Sequence, residues 1–186
     1  PLEDPGLTVL PTHRVTTTPL PPFEQIKQML GDVFEFREFP FTPSSHEQVR
    51  TQFLTSLRTE GTKVPVFGLA KQGDPRYVTL TLKPSHRPSE TASPRTKLDV
   101  SLLQLLIVSK LCQTQQEQEA ILYTKDDLEA LDWVYRGTGT GALLLNATKV
   151  SEVQAVAAAG ERMPHKSTYF YPKPLTGLVI NVMGGQ

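Results

Sequence analysis

Residues 64–82 read VPVFGLAKQGDPRYVTLTL and decide the fold class of this 186-residue chain. Two β-prone runs flank the segment 71–76, whose glycine and proline favour a turn. In the second run Tyr77, Thr79 and Thr81 alternate with aliphatic residues, which predicts a strand with one buried side and one solvent-facing side. We therefore expect an antiparallel hairpin in the middle of the chain, which a strictly doubly wound parallel fold would not contain.

Helix and strand patterns alternate on both sides of this hairpin. Apolar residues recur at helical spacing in 23–30, 45–61, 100–111, 124–134 and 148–160, and β-prone runs occupy 6–10, 33–36, 121–123, 142–145, 168–171 and 178–182. This order predicts one α+β domain over residues 1–186, with a mixed, largely antiparallel sheet and interspersed helices. Residues 84–96 contain three prolines and three serines, which predicts a mobile loop, either a tolerated surface insertion or a lid.

Composition narrows the class of protein. The chain has 19 basic and 19 acidic side chains, so its formal net charge is zero. Proteins dedicated to nucleic-acid binding usually have an excess of basic residues, so we do not expect nucleic acid as a partner. The single Cys112 rules out an intrachain disulfide framework and favours a reducing, cytoplasmic compartment. No apolar run approaches the roughly 18 residues of a membrane helix. The opening residues have no initiator Met or signal-like segment, so we expect a piece of a longer protein.

Familiar catalytic and metal motifs are missing from the sequence. The glycines of GTGTG at 137–141 follow a predicted helix and precede a predicted strand, which is the wrong order for a phosphate loop and indicates a turn. The four histidines lack the partner spacing of a zinc site, and Cys112 has no base nearby in sequence. We therefore predict no catalytic residue and no metal ligand.

The stretch 163–177, MPHKSTYFYPKPLTG, has the composition of a binding site. It places Ser167, Thr168, Tyr169 and Tyr171 between two lysines, and lysines beside hydroxyl groups suit an anion such as phosphate. In an extended chain, alternate side chains share a face, so one face would pack and the other would present hydroxyls. An edge strand with ordinary aromatic packing explains the same residues equally well.

The two lysines of this stretch are Lys166 and Lys173. A second group of polar residues, His13 and Arg14, follows the short predicted strand at 6–10, where side chains often meet ligands.

Three blocks of the chain resemble the bacterial and archaeal family called domain of unknown function 1015. They are GLTVLPTHR at 6–14, LDVSLLQ at 98–104 and AGERMPHKSTYFYPKPLTGLVI at 159–180, and their order and spacing cover nearly the whole chain. Relatives often have proline or glutamine where this chain has His165. The resemblance implies a place in the ParB and sulfiredoxin-like superfamily, which includes a free-serine kinase. It also implies that the catalytic motif of the family, of the form DGHHRY, belongs to an amino-terminal portion that this sequence lacks.

Three hypotheses follow from the residues and the resemblance together. In the first, the chain is the C-terminal domain of a nucleotide-dependent small-molecule kinase-like protein, which would use ATP or ADP with Mg²⁺ when complete. The predicted phosphate-binding residues are His13, Arg14, Lys166, Ser167, Thr168, Tyr169, Tyr171 and Lys173. In the second, the aromatic residues bind nucleic acid or a protein without catalysis. In the third, the block docks the missing N-terminal portion.

Overall fold

The computed structural model describes residues 8–172, and an antiparallel sheet of six strands forms their centre. The strands of this sheet are β2 (His13–Thr16), β3 (Phe34–Pro40), β4 (Val66–Lys71), β5 (Arg76–Leu82), β6 (Leu122–Thr124) and β7 (Gly141–Leu144). Their spatial order is β3-β5-β4-β7-β2-β6. The predicted hairpin is confirmed as β4 and β5, and so is the α+β class. A separate pair consists of β1 (Thr8–Leu10) and β8 (Tyr169–Tyr171).

Helices occur between the strands, as the sequence predicts. They are α1 (Phe23–Leu30), α2 (His46–Gly61), α3 (Pro94–Lys97), α4 (Asp99–Leu103), α5 (Ser109–Leu111), α6 (Gln115–Glu119), α7 (Asp127–Tyr135) and α8 (Val150–Ala158). A π-helical segment, Gln104–Val108, joins α4 to α5, so the predicted helix at 100–111 is continuous but has a wider turn in its middle. The expected strand at 178–182 lies outside the described residues.

Helices cover both faces of the sheet, and each face has its own hydrophobic cluster. On one face Phe67 and Leu143 pack with residues of α1 and of the α4–α5 helix. On the other face Val15 and Ala142 pack with residues of α2 and α7. The sheet is therefore the middle layer of three.

The expectation of a solvent-facing side on β5 is wrong. Tyr77 is 4% exposed and Thr79 is fully buried. The reason is α2, whose Phe53 stacks on Tyr77 at a ring-centroid distance of 5.0 Å. Gly68 of the neighbouring strand allows this close approach, since an added Cβ would lie 2.7 Å from the ring of Phe53.

The alternation of side chains along β2 decides where the predicted site residues point. Val15 pairs with Ala142 and belongs to the α2–α7 face, whereas Arg14 pairs with Leu143, which belongs to the opposite face. Because neighbouring residues of a strand point to opposite faces, His13 shares the face of Val15. His13 and Arg14 are therefore separated by the sheet.

Residues 84–96 are folded in part. A 3₁₀ turn, Pro84–His86, opens the segment, and Ser93 caps the short helix α3 by accepting a hydrogen bond from the amide of Thr96. The amide of Arg95 also donates to Glu161 Oε2 at 3.1 Å, which ties the segment to the region after α8. The mobility of this segment stays a prediction.

Candidate functional site

A cavity of about 800 Å³ opens on the face of the sheet to which Arg14 points. We call it the Arg14 cavity. Its lining comes from β2, β6, α3, the α4–α5 helix, α6 and two connecting segments: Arg14, Arg95, Thr96, Val100, Ser101, Gln104, Leu105, Ser109, Gln115, Gln118, Glu119, Ile121, Tyr123, Pro164 and His165. Residues from the start, middle and end of the chain therefore meet at one cavity.

Arg14 is the most unusual residue of this cavity. Its side chain is buried, with the residue 3% exposed, and within residues 8–172 it forms no ion pair with a carboxylate. Its Nη1 donates to the carbonyl of Thr12 at 2.5 Å. Burial lowers the pKa of Arg14 to about 10, an effect that Tyr123 partly opposes. The group is therefore a buried cation at neutral pH, with donors left over from a guanidinium that has five.

Tyr123 brings a second cation close to Arg14. The guanidinium carbon of Arg14 lies 5.8 Å from the centroid of the Tyr123 ring, and Nζ of Lys166 lies 5.7 Å from the same centroid. Cross-strand pairing of Arg14 with Tyr123 produces the first contact. The second depends on a turn at His165 and Lys166, in which Lys166 has a φ of 55°.

Further charges lie around the cavity. Arg95 and His165 contribute to its lining, and neither side chain forms an ion pair within the described part of the chain. Glu119 is the acidic lining residue, and its Oε1 accepts a hydrogen bond from Gln115 at 2.8 Å. The lining therefore has an excess of positive charge, which favours an anionic ligand.

The π-helical segment contributes the opposite side of the cavity. Gln104 and Leu105 begin this segment and line the cavity, and Gln104 Nε2 donates to Gln118 Oε1 at 3.1 Å. Widened turns of this kind are frequent at functional sites, because the extra residue re-aims side chains. Here the segment turns one amide side chain and one exposed leucine toward the cavity.

The other predicted binding residues of the block that the structure describes, Ser167, Thr168, Tyr169 and Tyr171, do not line the Arg14 cavity. Ser167 is buried, and its carbonyl accepts a hydrogen bond from Thr148 Oγ1 at 3.0 Å. Thr148 therefore ties the block to the residues that precede α8. Thr168 is partly buried and precedes β8. Tyr169 and Tyr171 share a face, as predicted, and Lys125 Nζ lies 4.9 Å and 5.4 Å from their ring centroids. Lys173 lies outside the described residues.

His13 lines a different cavity, of about 500 Å³, on the α2–α7 face. We call it the His13 cavity. Burial lowers the pKa of His13 to about 4, so its ring is neutral at pH 7. His13 and Arg14, which were expected to act together, therefore line separate cavities on opposite faces of the sheet.

A third cavity, of about 300 Å³, lies beside Tyr77 and is mostly aromatic and aliphatic. Tyr77 there shares a hydrogen bond with His46 Nε2 at 2.6 Å, and burial raises the pKa of Tyr77 to about 12. The Tyr77 hydroxyl is therefore already bonded within the protein, and we place the candidate site at the Arg14 cavity, where a buried cation lacks a carboxylate partner among residues 8–172. Among residues 8–172, no group of three or more His, Cys, Asp or Glu residues is placed to hold a metal ion. In the same part of the chain, no helix has the length and apolar character needed to cross a membrane.

Comparison with known proteins finds similar solved structures at low sequence identity. No family model and no curated protein matches the chain, so the resemblance to domain of unknown function 1015 stays a prediction. A conserved hypothetical protein from Pyrococcus furiosus is similar at 14% identity, over 90% of this chain and 57% of its own, with a TM-score of 0.49. A free serine kinase in complex with AMP is similar at 14% identity, over 90% and 55%, with a TM-score of 0.46. A mutant of free serine kinase in complex with ADP is similar at 13% identity, over 90% and 55%, with a TM-score of 0.47.

This chain spans little more than half the length of those solved structures, 55% to 57%. These similarities, at 13% to 14% identity, assign no ligand to the Arg14 cavity.

Arg14 is the one lining residue of the cavity that sequence reasoning predicted as a site residue, and Arg95, Tyr123 and His165 are among those that it missed. Arg95 had a detectable signal, because Ser93 followed by Pro94 is a typical start of a helix. Tyr123 had none, since its position beside Arg14 depends on the pairing of β6 with β2.

Proposed function

We propose that this chain is the C-terminal part of a nucleotide-dependent small-molecule kinase-like protein, and that the Arg14 cavity binds the phosphate groups of the nucleotide. The observation that carries the proposal is the buried Arg14 cation without a carboxylate partner in the described residues. Burying an unpaired charge costs several kcal/mol. A charge-assisted contact with phosphate contributes free energy on roughly the same scale and would offset that cost. A bound phosphate supplies the missing partner.

The surroundings of Arg14 fit a polyanionic ligand. Arg95, His165 and Lys166 place further positive or protonatable groups at or near the cavity, against the single carboxylate of Glu119. A planar guanidinium forms paired hydrogen bonds with phosphate oxygens, whereas a lysine contributes a point charge. Arg14 would therefore orient the phosphate, and Lys166 would add attraction from the rim.

The cavity is large enough for a nucleotide, because its volume of about 800 Å³ lies within the range of small-molecule sites. The Mg²⁺ implied by the resemblance would have to draw its ligands from the phosphates and from the missing N-terminal portion, since the cavity lining itself has one carboxylate. The same portion would supply the catalytic group. Ser167 and Thr168, which were expected to bind phosphate, act in this proposal by holding the turn that positions Lys166.

Calorimetric titration of the 186-residue chain with ADP and ATP tests the proposal. We expect both nucleotides to bind, and Arg14→Met to weaken binding at least about tenfold, since a hydrogen bond to a charged group contributes roughly 1.5–3 kcal/mol. The matched control is Arg136→Met, at an exposed arginine whose only ion pair is to Asp132 in its own helix turn within the described residues. Absence of nucleotide binding, or equal losses in both variants, would refute the assignment.

A specific observation also favours the docking function. Leu105 and Tyr123 line the Arg14 cavity and are 68% and 37% exposed. Strand β6 lies at one edge of the sheet and pairs only with β2 among the described strands. In this second candidate function, the N-terminal portion covers these side chains and completes the cavity.

Amide hydrogen exchange tests whether the N-terminal portion docks at this position. Amides of residues 121–124 should exchange at least about tenfold more slowly in the full-length protein than in the 186-residue chain, because docking removes them from water. Equal exchange in both would rule it out. Nucleic-acid binding has less support in residues 8–172, since Lys125 already covers the rings of Tyr169 and Tyr171 that would stack on bases.

A further inference from the structure

The side of the Arg14 cavity that is built from the α4–α5 helix and α6 differs in its hydrogen bonding from the side around Arg14. We call the lining residues of these helices the helical wall. Ser101 Oγ donates to the carbonyl of Arg95 at 2.6 Å, and Ser109 Oγ donates to the carbonyl of Leu105 at 2.6 Å. Because a carbonyl only accepts, each hydroxyl has used its single proton within the protein. Both serines line the cavity, so what they can offer a ligand is an acceptor oxygen.

The side-chain amide of Gln104 is held in one orientation by Gln118. Gln118 Nε2 donates to the carbonyl of Cys112 at 3.0 Å, which fixes Gln118 Oε1 as the accepting end of that amide. Gln104 Nε2 donates to this oxygen at 3.1 Å. Gln104 is exposed and lines the cavity, and its Oε1 accepts no hydrogen bond within residues 8–172. The chain of two amides therefore leaves an oriented acceptor on the helical wall.

Helix α6 adds further acceptors. Gln115 Nε2 donates to Glu119 Oε1 at 2.8 Å, and neither Gln115 Oε1 nor Glu119 Oε2 accepts a hydrogen bond in the described part of the chain. Each of the three amides of the wall keeps one N–H, so donors are present as well. The free side-chain acceptors are in the majority, however, and the one charged group of the wall is the carboxylate of Glu119.

The Arg14 cavity is thus polarised. Arg14, Arg95 and His165 contribute donors and positive charge, whereas the helical wall contributes mainly acceptors and a negative charge. A ligand that matches both sides has an anionic group at one end and a hydrogen-bond donor, such as an amino group, at the other. Val100, Leu105 and other apolar lining residues supply the surface against which a ring between these ends can pack.

We infer that Gln104, oriented by Gln118, is a specificity-determining residue of this cavity and selects a 6-amino purine nucleotide against a 6-oxo purine nucleotide. The inference rests on the proposed binding of nucleotide phosphates at Arg14. The amino group of adenine donates a hydrogen bond, and Gln104 Oε1 accepts it. The oxo group of a 6-oxo purine places an acceptor at the same position, against a wall in which acceptors are in excess.

Calorimetric titration of the 186-residue chain with ADP and with inosine diphosphate tests this specificity, because the two nucleotides differ at position 6 of the purine. The wild-type chain should bind ADP at least about fivefold more tightly than inosine diphosphate, the lower end of what a paired amide contact contributes to base discrimination. Gln104→Leu should remove that difference by weakening ADP binding and leaving inosine diphosphate binding unchanged. Gln104 is exposed, so the variant should fold.

Two further variants separate a specificity role from a general effect on the helices. Gln118→Leu keeps the Gln104 amide but frees its orientation, so the ratio of the two affinities should fall toward one. Gln116→Leu is the matched control, since Gln116 is an exposed glutamine of α6 that does not line the cavity, and the ratio should stay at the wild-type value.

The outcomes distinguish this inference from the proposed function. Equal binding of ADP and inosine diphosphate by the wild-type chain, or a preference for ADP that survives in Gln104→Leu, would overturn the inference and leave phosphate binding at Arg14 intact. If the chain binds neither nucleotide, or if Arg14→Met binds both as the wild type does, the proposed function fails and the inference fails with it.

Discussion

Replacing Arg14 by methionine should make the ligand-free chain more stable, which is unusual for a change at a buried residue. Arg14 is 3% exposed and lacks a carboxylate partner in the described residues. Methionine keeps an unbranched apolar side chain of adaptable shape and removes the charge. If the role of Arg14 is to bind a ligand, its unpaired charge should destabilise the folded chain when that ligand is absent.

The size of the effect follows from the contacts of Arg14. Burial lowers the pKa of Arg14 from 12.5 to about 10. At roughly 1.4 kcal/mol per pKa unit, keeping the cation in the fold costs about 3 kcal/mol. The substitution also removes the hydrogen bond from the charged guanidinium to Thr12, which contributes about 2 kcal/mol. The effect of Tyr123 is already contained in the lowered pKa. The expected net gain in the free energy of unfolding is about 1 kcal/mol.

Urea unfolding of the wild-type chain and of Arg14→Met, without nucleotide, measures this difference. With a slope near 2 kcal/mol per molar urea, the midpoint should rise by about 0.5 M while the slope stays constant. A midpoint that falls by 0.5 M or more, about 1 kcal/mol, would refute the reasoning. It would mean that Thr12, Tyr123 and the rest of the protein stabilise the cation by themselves.

Three further predictions concern single positions. Folding lowers the pKa of His13 from 6.5 to about 4, so the unfolded chain binds the proton at a higher pH than the folded chain. The free energy of unfolding, measured by urea titration, should therefore fall by up to about 3 kcal/mol between pH 6.5 and pH 4. The variant His13→Phe should not show this decrease. Lys166 has a φ of 55°, so Lys166→Gly should be about 1 kcal/mol more stable than Lys166→Ala by calorimetry, with nucleotide binding weakened equally in both. Gly68→Ala should lower stability by about 1–3 kcal/mol, because its Cβ would lie 2.7 Å from Phe53 and 3.0 Å from Leu144; an unchanged melting temperature would contradict the packing of α2 on the sheet.

Local patterns in the sequence were sufficient for the elements and the class of the fold. The glycine and proline of the segment 71–76 predict the turn of the hairpin. The helical spacing of Phe23, Ile26 and Leu30 predicts α1, and all three of these side chains are buried. The alternation of Tyr77 and Thr79 with aliphatic residues led to the wrong prediction of a solvent-facing side on β5. Threonine and tyrosine are amphipathic, and they pack well when a helix covers them. Nothing in the local sequence states that α2 lies on that face.

The candidate site was predictable only in part, since it depends on pairing between distant strands. Arg14 and Lys166 were identified from their chemistry, and both contact the ring of Tyr123. The sequence places Arg14 beside His13, but the pleat of β2 sends them to opposite faces. Tyr123 reaches the site through a strand register that spans more than a hundred residues of chain, which short-range patterns do not encode.

A crystal structure of the 186-residue chain with bound ADP tests the central claim most directly. A phosphate oxygen of ADP should lie within about 3.2 Å of the guanidinium nitrogens of Arg14, the normal range of a hydrogen bond, with Lys166 on the same side of the Tyr123 ring. ADP bound in the Tyr77 or His13 cavity, with Arg14 still bonded only to the carbonyl of Thr12, would contradict it.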